Sequence, residues 1–168
     1  MSTTAVDELF DAWERAWSGR DPAGFQAACC GDVHYEDPAC AQPLEGLSEL
    51  VAHAERLWAA FPDARLEGTG ERLGDGTFVA APCKLLGTHR EPLEGLPPSG
   101  RFVILHVVFY CELDRPAGEG GRLRRVRAFF DLYGAAVQLG VMPARGTLGE
   151  RALLALRGFG LRRERPTR

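Results

Sequence analysis

The segment Arg125-Val126-Arg127-Ala128-Phe129-Phe130-Asp131-Leu132-Tyr133 sets one carboxylate among large apolar side chains. Side chains alternate along a strand, so Asp131 shares a face with Phe129 and Arg127, while Phe130 and Ala128 take the other. A carboxyl beside phenylalanines is costly to ionise. Desolvation would raise its pKa from ~3.9 toward the range useful for proton transfer, which makes Asp131 a candidate acid/base and Phe129 its neighbour against a substrate. The same aspartate can also cap a helix beginning at Leu132, and the two uses are compatible.

Two histidines could assist. His106 interrupts the apolar run Phe102–Phe109, where a buried imidazole must be hydrogen-bonded. It is either a satisfied core residue or a group facing a cavity that polarises a bound carbonyl. His89 ends the segment Leu86-Gly87-Thr88-His89 ahead of a proline-rich loop, a place equally suited to a surface or a ligand-facing side chain. Tyr35 and Asp37 are candidates for the pocket mouth, with a plain turn as the alternative. Trp13, Trp17 and Trp58 fall on helix stripes, where packing competes with use as a ligand platform.

Several other chemistries lack their minimal parts. The sequence holds no Gly-x-x-x-x-Gly-Lys phosphate loop, no Gly-x-Ser-x-Gly elbow and no His-Glu-x-x-His helix. His34, His53, His89 and His106 have no short ligand spacing, so no metal centre is expected from local motifs. The five cysteines form no Cys-x-x-Cys pair and are expected as free thiols.

The elements that must carry these residues follow from periodicity. Val6, Leu9, Phe10, Trp13 and Trp17 make the stripe of an amphipathic helix, with Thr3 or Thr4 as its cap. Asp21-Pro22 starts a short second helix running to about Cys30. Val33 and Tyr35 alternate as in a strand before Asp37-Pro38 turns the chain. A third helix carries Leu47, Leu50, Val51, Ala54, Leu57, Trp58 and Phe61, and Pro62-Asp63 stops it. Strands are then predicted over 64–72, 77–89, 101–113 and 122–132, with Gly74-Asp75-Gly76 as a hairpin turn and two longer breaks at 92–100 and 114–121. Residues 132–139 form a closing helix ended by Gly140, and 149–157 a last short one. Helices first and antiparallel strands afterwards give an α+β fold, in which a curved sheet packs on the helices and encloses an apolar pocket.

The 168 residues suit one domain; 45% are hydrophobic and 26% charged, an ordinary globular balance. We expect residues 1–145 to form that domain and 146–168 a C-terminal extension with a basic tail of Arg157, Arg162, Arg163, Arg165 and Arg168. A net charge of −3 gives no electrostatic basis for a nucleic-acid partner. No apolar run is long enough for a membrane span. The N-terminal residues lack a secretory pattern, so a cytoplasmic location is expected.

Taken in order, Asp37-Pro38, Ala60-Phe61-Pro62-Asp63, Gly87-Thr88-His89, Gly95-Leu96-Pro97-Pro98-Ser99-Gly100-Arg101, Phe129-Phe130-Asp131 and Gln138-Leu139-Gly140 resemble SnoaL-like polyketide cyclases of the nuclear transport factor 2-like superfamily. The resemblance covers about residues 5–143. It implies a cone-shaped α+β barrel of a curved, mostly antiparallel sheet around the N-terminal helices (nuclear transport factor 2-like or cystatin-like), often a homodimer through its sheet. It also implies a hydrophobic small-molecule substrate, and ring closure by intramolecular aldol condensation without metal or cofactor. In that scheme Asp131 is the acid/base, His106, His89 and Gln138 are candidate donors to the enolate oxygen, and Tyr35, Phe129 and Trp13 contact the substrate. The same scaffold hosts epoxide hydrolases, isomerases, hydroxylases and non-catalytic ligand binders, which remain alternatives.

Overall fold

The structure is a computed structural model and describes residues 4–158. Helix α1 (Ala5–Gly19) begins at Thr4, whose hydroxyl accepts from the Asp7 amide while the Asp7 carboxylate accepts from the Thr4 amide. Its buried stripe is Phe10, Trp13, Ala16 and Trp17, the spacing that brings one helical face to the core. Asp21 caps α2 (Pro22–Ala28), with proline in the first turn. The chain continues into β1 (Cys29–Glu36) and the short β2 (Leu44–Glu45), then α3 (Leu47–Ala60), which turns Leu50, His53, Ala54 and Trp58 inward.

The remaining strands are β3 (Arg65–Gly68), β4 (Leu73–Gly74), β5 (Phe78–Thr88), β6 (Phe102–Leu113) and β7 (Leu123–Phe129). One strand was expected over 64–72; the structure shortens it to β3, with Gly70 beyond it at φ 90° and β4 starting only after residue 72. The hairpin at Gly74-Asp75-Gly76 pairs β4 with β5 as expected. The sheet runs β2-β1-β7-β6-β5-β3 and does not close on itself; among the described residues only β1 and β7 pair in parallel.

Register decides what each strand offers the interior. Val103, Val107, Phe109 and Cys111 of β6 are buried with Val79, Ala81 and Cys83 of β5 and Val126 and Ala128 of β7. Against this face pack Phe10, Trp13 and Trp17 of α1, Phe25 of α2, and Leu50, Ala54 and Trp58 of α3 in one core. The fold is therefore the expected α+β arrangement, a curved sheet around N-terminal helices. Helix α4 (Leu132–Leu139) follows β7, capped by Asp131 and ended by Gly140 at φ 81°. Helix α5 (Leu148–Leu156) is capped by Thr147 and has no buried residue. All five cysteines are free thiols. Among the described residues no helix is long and apolar enough to cross a membrane. Arg162, Arg163, Arg165 and Arg168 of the expected basic tail lie outside the described residues.

Candidate active site

A cavity of about 170 Å³ lies between the inner face of the sheet, α3 and α4. Leu85, Val103, Leu105 and Val107 form its sheet wall, Leu57 and Trp58 the α3 side, and Ala135 and Leu139 the α4 side. Cavities of ~150 Å³ lined only by apolar groups stay dry and hold a benzene-sized guest.

One part of the wall is polar. Tyr35 points inward from β1 by the same alternation that buries Val33, and only 3% of it is exposed. Just past the end of β1, the Asp37 carboxylate folds back over its own turn: Oδ1 accepts from the amides of Ala39 at 2.7 Å and Cys40 at 2.9 Å. Its other oxygen, Oδ2, accepts from the Tyr35 hydroxyl at 3.0 Å and lies 3.1 Å from His53 Nε2. The Asp37 and His53 side chains are 4% and 7% exposed. His53 Nδ1 has a looser contact, 3.8 Å to Cys40 Sγ.

The electrostatics give these groups distinct states. Burial pushes the Asp37 carboxyl up, but hydrogen bonds and charge from His53, the Ala39 amide and the Tyr35 hydroxyl outweigh it and hold Asp37 below the ordinary aspartate value. Asp37 is thus an anion at neutral pH. Burial and the Asp37 charge keep Tyr35 protonated, well above its ordinary value, so its hydroxyl is a donor. Burial, then the Asp37 charge, push the Cys40 thiol up to about 11. The Asp37 carboxylate can only accept, so the His53 nitrogen facing it, Nε2, carries a proton, and Nδ1 is the nitrogen left to gain or give up one.

Most of the residues expected at the site lie elsewhere. Asp131 is exposed and accepts from the Gly134 amide at 2.9 Å as the α4 cap, so the burial behind its expected acid/base role is absent. The alternation holds, but the cavity is on the other side: Phe130 and Ala128 line it, whereas Phe129 is 56% exposed on the outer face. His106 is likewise exposed on the outer face, opposite Lys84 in the β5–β6 register, because the odd-numbered residues of β6 point inward. His89 is buried but does not line the cavity; its Nδ1 accepts from the Ser99 amide at 3.1 Å and its ring stacks on Phe61. Gln138 clamps α4 to β6, accepting from the Ile104 amide at 2.8 Å and donating to the Ile104 carbonyl at 2.9 Å. Trp13 is fully buried among Trp17, Phe25, Tyr35 and Phe109, in the core rather than on the cavity wall. Tyr35 does reach the cavity, as does Asp37, the other residue expected at its mouth, and Trp17 and Trp58 also line it.

Sequence reasoning missed His53. Its signal was its place between Leu50, Ala54 and Leu57, since a histidine on the inward stripe of a helix needs a polar partner across the core. Nor does local spacing foretell that Asp37, Cys40 and His53 bring one ligand atom each within 4.8 Å of one another.

The sequence profile of the SnoaL-like polyketide cyclases matches residues 7–139, which spans every element from α1 to α4. The chain belongs to the SnoaL-like polyketide cyclase family. Among solved structures, TsrD from Streptomyces laurentii is 20% identical over 84% of this chain and 98% of its own, with a TM-score of 0.70. AclR from Streptomyces galilaeus is 21% identical, covering 84% of this chain and 100% of its own at a TM-score of 0.68. IdmH from Streptomyces antibioticus is 20% identical over 80% and 97%, with a TM-score of 0.65. At these identities the likeness is one of fold. No curated protein matches the sequence.

Proposed function

We propose that this family member is an enzyme that moves a proton at a carbon next to a carbonyl of an apolar, carbonyl-rich small molecule, closing a ring by an aldol-type step without a cofactor. The observation that carries this reading is the His53–Asp37 pair, buried on an otherwise apolar cavity wall. A histidine fixed by a carboxylate has one defined tautomer, and the anion stabilises the imidazolium that forms when Nδ1 takes a proton. Asp37 suits that supporting role because its oxygens are saturated with donors and its low pKa keeps it charged. Tyr35 supports the carboxylate in turn. The apolar cavity excludes water and orients the guest, which strengthens every charge interaction inside it.

The neighbours' descriptions fit chemistry of this breadth: IdmH is described as a candidate polyketide cyclase, AclR as a candidate hydroxylase. A homodimer is part of the proposal, through the outer sheet face where Phe102, Ile104, Tyr110 and Phe129 are exposed.

The test is turnover beside affinity for His53→Gln and Asp37→Asn, using a panel of aromatic β-dicarbonyl polyketides. Quenching of Trp17 and Trp58, which line the cavity, reports binding. Loss of an acid/base group should lower kcat by ~10²–10⁴-fold with affinity nearly unchanged. Matched losses in rate and affinity would point to a binding module, and an unaltered rate would remove the pair from the chemistry.

A further inference from the structure

We propose that Asp37, Cys40 and His53 form a binding site for a single borderline-soft divalent cation of the Zn²⁺ type, set in the cavity wall. Each residue supplies one ligand atom, and the three atoms lie within 4.8 Å of one another. Zinc takes thiolate, imidazole and carboxylate ligands at about 2.0–2.3 Å, so atoms around it in a tetrahedron stand about 3.3–3.7 Å apart. His53 Nε2 and Asp37 Oδ2, at 3.1 Å, are already near that spacing. Cys40 Sγ lies 3.8 Å from the other nitrogen of the same ring, and closing the set needs the thiol to draw in toward the His53–Asp37 pair.

Three features favour a cation here over a chance cluster. Firstly, the donor set mixes sulfur, nitrogen and oxygen, which suits zinc and disfavours magnesium or calcium. Secondly, the charges balance. Binding releases the thiol proton to solvent and leaves the imidazole proton on Nδ1, and the thiolate and carboxylate then carry two negative charges against the dication, giving a neutral site on an apolar wall. Thirdly, the carboxylate has its outer partners in place: the Tyr35 hydroxyl and the amides of Ala39 and Cys40 fix its orientation. Asp37 and His53 line the cavity, so a cation held by them would border the space that a water or a carbonyl oxygen could occupy. The cation takes the Asp37 oxygen and the His53 nitrogen that face each other, so it would break the pair used in the proposed reaction. That inhibition rests on the proposed function; the binding does not.

The experiment uses the full chain, stripped with a chelator and titrated with Co²⁺ as the spectroscopic probe. The expected result is a near-ultraviolet thiolate-to-cobalt band that saturates with one cation, disappears on adding Zn²⁺, and survives Cys30→Ser. Cys40→Ser should abolish the band and weaken Co²⁺ binding by at least about tenfold, since even outer-shell losses reach that size. No band, or an unchanged band in Cys40→Ser, overturns the site. A measurement on the wild-type chain covers the case in which that variant fails to fold: Zn²⁺ should slow alkylation of Cys40 by iodoacetamide, read by peptide mass. Alkylation that ignores Zn²⁺ overturns the site equally. Turnover of the stripped protein is read separately, so failure of the cation site and failure of the proposed reaction give different results.

Discussion

His53 Nε2 lies 3.1 Å from Asp37 Oδ2 although sixteen positions separate the two residues in the chain. One comes from the inward stripe of α3 and the other from the turn that ends β1. Neither element supplies the pair alone. Their packing across the cavity wall creates it, and Tyr35, two residues before Asp37, completes it from the same strand.

Asp131→Ala separates capping from chemistry. Removing the carboxylate leaves the Gly134 amide without its side-chain acceptor and should cost about 1 kcal/mol, the usual value of an N-cap. Turnover should fall by much less than the ~10²-fold of a lost acid/base group. A chemical melt run beside the rate assay checks both, and a rate collapse at unchanged stability would return Asp131 to the catalytic role.

Gln138→Ala should loosen α4. Beyond Val108 toward its N-terminus, β6 has no β7 partner, and the Gln138 amide supplies both hydrogen bonds that Ile104 would otherwise make on that edge. Water can replace part of this at an exposed edge, so the expected loss is about 1–2 kcal/mol in a denaturant titration. Ligand affinity should drop with it, because Leu132, Ala135 and Leu139 of the same helix line the cavity.

Acid should weaken a second tie. Asp63 accepts from the Thr88 amide at 2.6 Å and the Thr88 hydroxyl at 2.7 Å, joining the end of β5 to the turn after α3. These bonds hold its carboxyl below the ordinary aspartate value. A depressed folded-state pKa contributes stability that is present above the unfolded value of ~3.9 and is lost as pH falls through the folded value. Wild type should therefore exceed Asp63→Asn in melting temperature near neutral pH, and the gap should shrink in acid. A gap that widens below pH ~4 would contradict the sign.

The outer sheet face gives a prediction on assembly. Ile104 and Tyr110 are both more than two-fifths exposed there, at 42% and 43%. If that face seats a second copy, Ile104→Glu with Tyr110→Glu buries charges in the interface and should yield monomers by light scattering, with the melt nearly unchanged. Wild type already monomeric at high concentration would dismiss the dimer.

The fold was legible because it rests on local patterns. The stripe of α1, the proline after Asp21, the Gly140 stop and the alternation in β5 and β6 each specify an element within a few residues of themselves. The site was less legible, and Asp131 shows why. Alternation correctly grouped Asp131 with Phe129 and opposed both to Phe130, yet one strand does not say which of its faces meets the cavity.

The order of residues thus determined the elements, their ends and the kind of pocket they would make, since these follow from backbone preferences and the spacing of apolar side chains. Tertiary packing alone decided which carboxylate is dry. Burial and hydrogen bonds from α3 and β1 converge on Asp37, while Asp131 is left to solvent. Whether a carboxylate is desolvated depends on atoms distant in the chain, and no window of sequence contains them.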